Sequence, residues 1–92
     1  MANVVITLRI MPDSPDVDLK HLEKKVEALI KKFSGEEEMR VKEEPIAFGL
    51  NALDFTFVMD EKKGGTEELE KNISKLDNVS SAEVTDVRRT VG

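Results

Sequence analysis

The sequence predicts an α+β fold with the element order β-α-β-β-α-β, and three features carry this prediction. Apolar residues alternate with polar ones at 4–10 and 53–59, as in strands with one buried face. Apolar residues three and four positions apart mark two helices, at 19–33 and 66–76. A last β-branched stretch, 79–91, completes the order. Two right-handed β-α-β units in this order form the ferredoxin-like sandwich, in which a four-stranded antiparallel sheet carries both helices on one face.

The first helix has sequence signals at both ends. The preceding stretch, 12–16, contains two prolines together with Asp and Ser residues and is typical of a turn. Ser14, Asp16 and Asp18 are each suitable N-caps, and the sequence leaves the choice open. Gly35 ends the helix, because glycine adopts the left-handed conformation without a steric penalty.

The two strands in the middle of the chain differ in charge. In the stretch 36–44, Met39 and Val41 alternate with charged residues, which predicts an edge strand protected from pairing with other chains. The stretch 53–59 is far more apolar and is predicted to be a central strand.

The second helix and the last strand complete the predicted order. Thr66 precedes three glutamates and is a suitable N-cap, and Asp77-Asn78 is expected to end the helix. In the last strand Val84 and Val87 fall in opposite phases of the alternation. This phase slip indicates a bulge or a change of face.

Length and composition exclude several classes of protein. With 92 residues the chain has room for one hydrophobic core, so we expect a single domain across residues 1–92. The sequence contains no cysteine, which excludes disulfides and thiolate metal sites. A net charge of −5 opposes binding to a phosphate backbone, and no apolar run is long enough to span a membrane. We therefore expect a cytoplasmic protein that contacts neither nucleic acid nor membrane.

Three features that can support chemistry have simpler structural interpretations. The only histidine, His21, lies on the flank of the first helix, where we expect it to be solvated. In the loop 62–66 the lysines precede the glycines, so the spacing of a phosphate-binding P-loop is absent. The glutamate runs at 36–38 and 43–44 lack the alternation of a calcium-binding loop and are expected to form a solvated surface.

Five further residues are of types that can take part in binding. Phe55 shares its phase with the apolar side of the central strand, as does Phe57 two positions later, so both are expected in the core and not on a base-stacking surface. Phe48 precedes a glycine between two strands, and the sequence allows either a core position or an exposed anchor. Arg88 and Arg89 form a basic pair at the end of an acidic chain, either solvated or presented to an anionic site on a partner.

The segment that begins at Pro45 resembles a known family. Its letters PIAFGLNAL match the pattern P-I/V-A/G-F/Y-G-I/L-x-x-L of the exchange domain of the elongation factor 1-beta family of guanine nucleotide exchange factors. As in that family, a strand, an acidic pair and a helix beginning near Gly65-Thr66 follow. The similarity extends to the first strand with its turn, VVITLRIMPDSPDVDLKHLE, and to the last strand, VSSAEVTDVRRTVG. It covers essentially the whole chain, and the short length resembles the archaeal branch.

The resemblance implies a function and a set of residues. Members of the elongation factor 1-beta family exchange guanine nucleotide on elongation factor 1-alpha: they promote GDP release so that GTP can rebind during translation elongation. This implies a guanine nucleotide exchange domain over residues 1–92, with no catalytic residues, no metal site and no cofactor. In eukaryotic relatives a lysine near the carboxyl terminus reaches the Mg²⁺ and phosphate site of the GTPase, and an aromatic residue of the motif contacts the partner. By position these correspond to Arg89 and Phe48, with Arg88 as the alternative cation.

A function of a different class stays open at this point. The exchange factor is expected to be a monomer when free. The alternative is a regulatory domain that dimerises through its sheet and binds a small ligand at the seam. An acylphosphatase-like activity is weaker, because the stretch 12–15 replaces the glycine-rich anion loop that such an activity needs.

Overall fold

The computed structural model describes residues 3–35, 39–63 and 65–90 and confirms the predicted α+β, ferredoxin-like order of elements. One sheet has the strand order β2-β3-β1-β4, and every neighbouring pair is antiparallel. The predicted edge strand β2 and central strand β3 occupy those positions; residues 36–38 of the predicted edge strand lie outside the described residues. The elements are β1 (Asn3–Pro12), α1 (Leu19–Ser34), β2 (Met39–Pro45), β3 (Asn51–Asp60), a 3-10 turn (Glu61–Lys63), α2 (Glu67–Ser74) and β4 (Val79–Thr90).

The hydrophobic core lies between the sheet and the two helices. Phe55 and Phe57 are 0% and 1% exposed, which confirms that they are core residues. Their burial also removes them from any surface on which a base could stack. The other buried residues of the core cluster come from one face of the central strands and from the apolar stripes of the helices: Ile6, Leu8, Ile10, Leu22, Val26, Ile30, Leu53, Met59, Leu69 and Ile73. None of the described helices is long and apolar enough to cross a bilayer.

The ends of α1 follow from their capping residues. Asp18 is the N-cap: its carboxylate accepts hydrogen bonds from the backbone N–H groups of Lys20 and His21 at 3.1 and 3.3 Å. Gly35 closes the helix with φ +75°, and its N–H donates to the Lys31 carbonyl at 2.8 Å. Both ends therefore satisfy backbone groups that the helix itself leaves unpaired.

Helix α2 is shorter than the sequence predicts. Thr66 occupies the N-cap, but its hydroxyl donates to Glu70 at 2.9 Å and makes no capping bond to the backbone. The prediction that Asp77-Asn78 ends the helix was wrong, because the helix ends at Ser74. Beyond that residue the Leu76 N–H donates to the Ile73 carbonyl three residues back, and this tighter turn keeps Leu76 against the core.

The phase slip in β4 is a β-bulge. Thr7 lies opposite Asp86, and the next residue, Leu8, lies opposite Val84. No residue of β1 therefore lies opposite Thr85, whose hydroxyl donates a hydrogen bond to the Thr7 carbonyl at 3.4 Å. The extra residue returns Val87 to the helix side of the sheet, where it lies opposite Ile6. The bulge therefore decides which face each later residue of β4 occupies.

The sheet face away from the helices carries a row of alternating charges. Arg9 on β1 donates two hydrogen bonds to the Asp54 carboxylate on β3, at 2.9 and 3.1 Å. Lys42 lies opposite Asp54 on the other side, and Glu83 lies opposite Arg9. The Asp54 hydrogen bond, followed by the Asp54 charge, raises the pKa of the Arg9 guanidinium above its usual range. Each of the four strands thus contributes one charge of alternating sign.

Candidate functional site

The motif that begins at Pro45 forms the tight turn between β2 and β3. The Leu50 N–H donates to the Ala47 carbonyl at 2.9 Å, which makes Phe48 and Gly49 the two central residues of the turn. Their φ angles are +55° and +77°. Positive φ at both central positions is the requirement of a type I′ turn, whose twist matches that of the flanking strands. The turn therefore fits the hairpin, although it places an aromatic residue in a conformation that favours glycine.

Phe48 is exposed, so the core position that the sequence also allowed is wrong. Its side chain is 96% exposed, and Ile46 beside it is 43% exposed. The left-handed conformation costs about 1–2 kcal/mol for a residue with a Cβ, and an exposed ring recovers none of this through packing in the free chain. Aromatic side chains are enriched among the residues that dominate protein interfaces, so Phe48 is a candidate for contact with another molecule.

Arg88 and Arg89 point to opposite faces of the sheet. Arg88 lies opposite Val5 on the uncovered face and forms an ion pair with Asp86 at 2.9 Å. Arg89 lies opposite Val4 on the helix side and pairs with Glu61, at the start of the 3-10 turn. The arginine side chains remain 78% and 67% exposed, respectively. A molecule that approaches one face of the sheet can therefore reach one of these cations and not the other.

The structure does not bring the three predicted binding residues together. The arginines lie at the end of the sheet where β1 begins, since their partners are Val5 and Val4. Phe48 lies at the other end, because it precedes the first residue of β3. Sequence reasoning missed Glu61, whose contact with Arg89 joins residues 28 positions apart, and no local pattern marks it.

The remaining candidate sites show no arrangement for chemistry. His21 is exposed on α1, as predicted. In the loop 62–66, Gly64 is outside the described residues, and Lys62 donates its N–H to Asp60 at 2.9 Å. Among the described residues no group of three or more His, Asp or Glu side chains is placed to hold a metal ion, and Glu36–Glu38 lie outside that set.

A groove of about 530 Å³ opens at the end of the sheet where β1 begins. Most of its lining residues lie on the face away from the helices, and among the described residues that line it Arg40 alone is charged. These described residues supply no side-chain carboxylate oxygen for a hard cation. The lining residues are Asn3, Val5, Met39, Arg40, Thr56, Phe57 and Val58.

The profile of the EF-1 guanine nucleotide exchange domain matches residues 5–90, which is nearly the whole chain. This chain belongs to the EF-1 guanine nucleotide exchange domain family. The match includes both structural features described above, the turn with Phe48 and the arginine pair of β4. Family membership gives the chain a role in nucleotide exchange as a translation elongation factor.

Archaeal members of the family are similar over nearly their full length. Elongation factor 1-beta of Methanothermobacter thermautotrophicus is 48% identical over 89 residues, which cover 97% of this chain and 98% of that protein. The protein of the same name from Methanobrevibacter smithii is 47% identical with the same coverage. That of Methanocaldococcus jannaschii is 34% identical over 90 residues, 95% of this chain and 97% of that protein.

Two solved structures share the fold at low sequence identity. The de novo designed protein Foldit4 aligns with a TM-score of 0.62 and 24% identity, covering 98% of both chains. LarC2, the C-terminal domain of a cyclometallase, aligns with a TM-score of 0.62 and 12% identity, covering 99% of this chain and 58% of that one. A designed protein and a cyclometallase domain have no function in common, so these matches concern the fold alone.

Proposed function

We propose that this chain promotes GDP release from elongation factor 1-alpha, so that GTP can rebind during translation elongation. The observation that carries the proposal is Phe48, a 96% exposed aromatic side chain in a left-handed turn. The turn belongs to the segment that resembles the elongation factor 1-beta family. Because the free chain gains little from this residue, its contribution is expected in a complex.

Exchange requires preferential binding to one state of the GTPase. If the chain lowers the affinity of the GTPase for GDP, then GDP must lower the affinity of the GTPase for the chain by the same factor. The chain therefore binds the nucleotide-free GTPase more tightly than the GDP-bound form. It forms and breaks no covalent bond, and it leaves unchanged once GTP has rebound.

A cation at the end of β4 supplies the weakening of GDP binding. By the resemblance, Arg89 corresponds to the lysine of eukaryotic relatives, with Arg88 as the alternative cation. The Arg89 side chain is 67% exposed on a strand end. A guanidinium that enters the nucleotide site competes with Mg²⁺ for carboxylate and phosphate oxygens, which are the ligands Mg²⁺ prefers. The planar guanidinium differs from the compact ammonium of lysine, so the contacts are expected to be bidentate.

The free chain is proposed to be a monomer that forms one exchange domain over residues 1–92. The charge row argues against the alternative, a dimer joined through the sheet. Such a dimer would bury Arg9, Asp54, Lys42 and Glu83, and desolvating charges costs several kcal/mol per ion unless their pairing is excellent. The acidic chain is likewise proposed to bind neither nucleic acid nor membrane, and to act in the cytoplasm without a cofactor.

The proposal is tested by the rate of GDP release. Elongation factor 1-alpha loaded with a fluorescent GDP is mixed with excess unlabelled GDP, with and without this chain. We expect the chain to raise the release rate in proportion to its concentration until it saturates. A release rate that stays at its intrinsic value at all concentrations of the chain would contradict the proposal.

A further inference from the structure

Arg89 is held away from the edge of the sheet by a contact that crosses a strand. Glu61 follows the last residue of β3, whereas Arg89 lies on β4, and β1 runs between these two strands. The guanidinium that pairs with Glu61 must therefore lie across the end of β1, near Val4, which is the residue opposite Arg89. In the free chain this cation is directed back over the sheet.

The neighbouring arginine has a contact of a different kind. Arg88 pairs with Asp86, two residues earlier on the same strand, at 2.9 Å between Nε and Oδ2. This contact joins neighbouring side chains on the same face of β4 and does not span another strand. The two ion pairs therefore differ in reach: of the two, the Glu61 contact alone holds an arginine side chain across another strand.

The ion pair between Arg89 and Glu61 is weak enough for the binding of a partner to break it. Both side chains are well exposed, 67% for Arg89 and 40% for Glu61. Exposed ion pairs bias side-chain positions by small factors and are screened by salt. While Arg89 is bound to Glu61, its guanidinium is unavailable to oxygens on a partner. The apparent affinity for the partner is therefore the intrinsic affinity multiplied by the fraction of molecules in which Arg89 is free.

We infer that Glu61 is a positioning residue for the exchange reaction: it holds Arg89 over the end of β1 in the free chain and must release it when the GTPase binds. This inference rests on the proposed function, because it assigns the released cation to that partner. The contact therefore lowers the affinity of the chain for its partner by occupying the cation that the partner would bind.

The decisive variant is Glu61→Gln, which removes the charge and keeps the size of the side chain. We expect it to bind the nucleotide-free GTPase about two- to five-fold more tightly than the wild type at low salt, the factor of an exposed ion pair. This gain should shrink at high salt, since screening also weakens the contact in the wild type. Glu68→Gln is the matched control, because it makes the same change of net charge at an exposed position of α2.

Two further variants separate this role from a general charge effect. In the background of Arg89→Ala, the change Glu61→Gln should bring no gain, because the side chain that it frees is missing. Asp86→Asn frees Arg88 and leaves the Glu61 contact in place, so the gain should be absent there too. A gain in Asp86→Asn or Glu68→Gln equal to that in Glu61→Gln, a gain that survives without Arg89, or unchanged binding of Glu61→Gln would each overturn the inference.

The same experiment separates the inference from the function on which it rests. If the wild-type chain accelerates GDP release and Glu61→Gln behaves as the wild type, the positioning role fails and the exchange function stands. If the wild type neither binds the nucleotide-free GTPase nor accelerates release, both fail.

Discussion

Phe48 and Arg89 lie at opposite ends of the same sheet. Arg89 is opposite Val4 on β1, which is itself opposite Met59 near the end of β3. Phe48 precedes Asn51, the first residue of β3. The eight residue-to-residue steps from Asn51 to Met59 span roughly 26 Å at the rise of a β-strand, in a molecule whose longest dimension is 42 Å. One small pocket on a partner cannot receive both side chains, so a partner that contacts both must extend along the molecule.

The separation predicts that the two side chains contribute independently to binding. Phe48→Ala and Arg89→Ala should each weaken binding to the nucleotide-free GTPase, and the double variant should lose the sum of the two free energies within about 0.5 kcal/mol. Dissociation constants of the four proteins, measured by calorimetry, test this. A large coupling energy would show that the two residues act on the same part of the partner.

Phe48 is expected to matter for binding and not for stability. Because its ring is 96% exposed, Phe48→Ala should change the free energy of unfolding by no more than about 0.5 kcal/mol. Phe57→Ala is the buried control, and it should lose about 3–5 kcal/mol through the cavity it leaves. Urea denaturation compares the two variants. A loss of several kcal/mol in Phe48→Ala would place the ring in the core.

The opposite faces of the two arginines predict unequal effects on exchange. Arg89→Ala should lower the exchange rate about 10- to 100-fold, the range expected for the loss of a charge-assisted hydrogen bond. Arg89→Lys, which restores the lysine of eukaryotic relatives, should recover most of the rate. Variants of Arg88 and Arg89 should keep the wild-type melting temperature, because both arginine side chains are exposed.

Arg88→Ala is the comparison for this experiment, and we expect it to lower the rate less than Arg89→Ala. A larger effect of Arg88→Ala would show that Arg88, on the uncovered face of the sheet, is the cation that acts on the GTPase. Unchanged exchange in the double variant would remove both arginines from the mechanism.

The ion pair between Arg9 and Asp54 is predicted to stabilise the fold. Asp54 is only 15% exposed, so Asp54→Asn should lower the free energy of unfolding by about 1–3 kcal/mol, because it weakens the partner of a half-buried guanidinium. Lys42→Met, in the same charge row but 77% exposed, should change it by less than about 0.5 kcal/mol. Equal effects of the two substitutions, measured by urea denaturation, would contradict a special role for the pair.

The raised pKa of Arg9 determines the pH range over which the Arg9 charge stabilises the folded state. The folded pKa is raised above the unfolded one, so the charged guanidinium stabilises the folded state fully below the unfolded value and loses this effect only as pH rises through the folded value. Both values lie above the neutral range. The Arg9 contribution to stability should therefore be constant between about pH 6 and 9, and a decline within that range that disappears in Arg9→Met would contradict it.

Periodicity was sufficient to predict the architecture. The alternation around Phe55 and the three-and-four spacing around Val26 are local patterns that determine which face of an element is buried, and the structure buries both residues completely. The phase slip between Val84 and Val87 indicated an irregularity, which the structure shows to be a bulge at Thr85. The end of α2 was missed because Leu76 keeps the helical spacing although the chain has already turned.

The geometry of the candidate site could not be predicted from hydrophobic periodicity, because its residues belong to no repeating pattern. Phe48 is a single aromatic residue in a turn, and whether a turn residue is exposed depends on what packs over it. The contact of Arg89 with Glu61 joins β4 to the 3-10 turn after β3, a strand that is not its neighbour in the sheet, so its existence follows only from the assembled topology. The resemblance to a family pointed to Phe48 and Arg89, but it did not indicate their separation or the residue that holds the arginine.

The preference of the chain for one nucleotide state of its partner tests the central claim most directly. The measurement is the dissociation constant of the complex with elongation factor 1-alpha, first nucleotide-free and then saturated with GDP. Because coupling between the two ligands is reciprocal, we predict at least about tenfold tighter binding to the nucleotide-free GTPase. Equal dissociation constants in the two states would contradict the account, since a chain that binds both states equally cannot displace GDP.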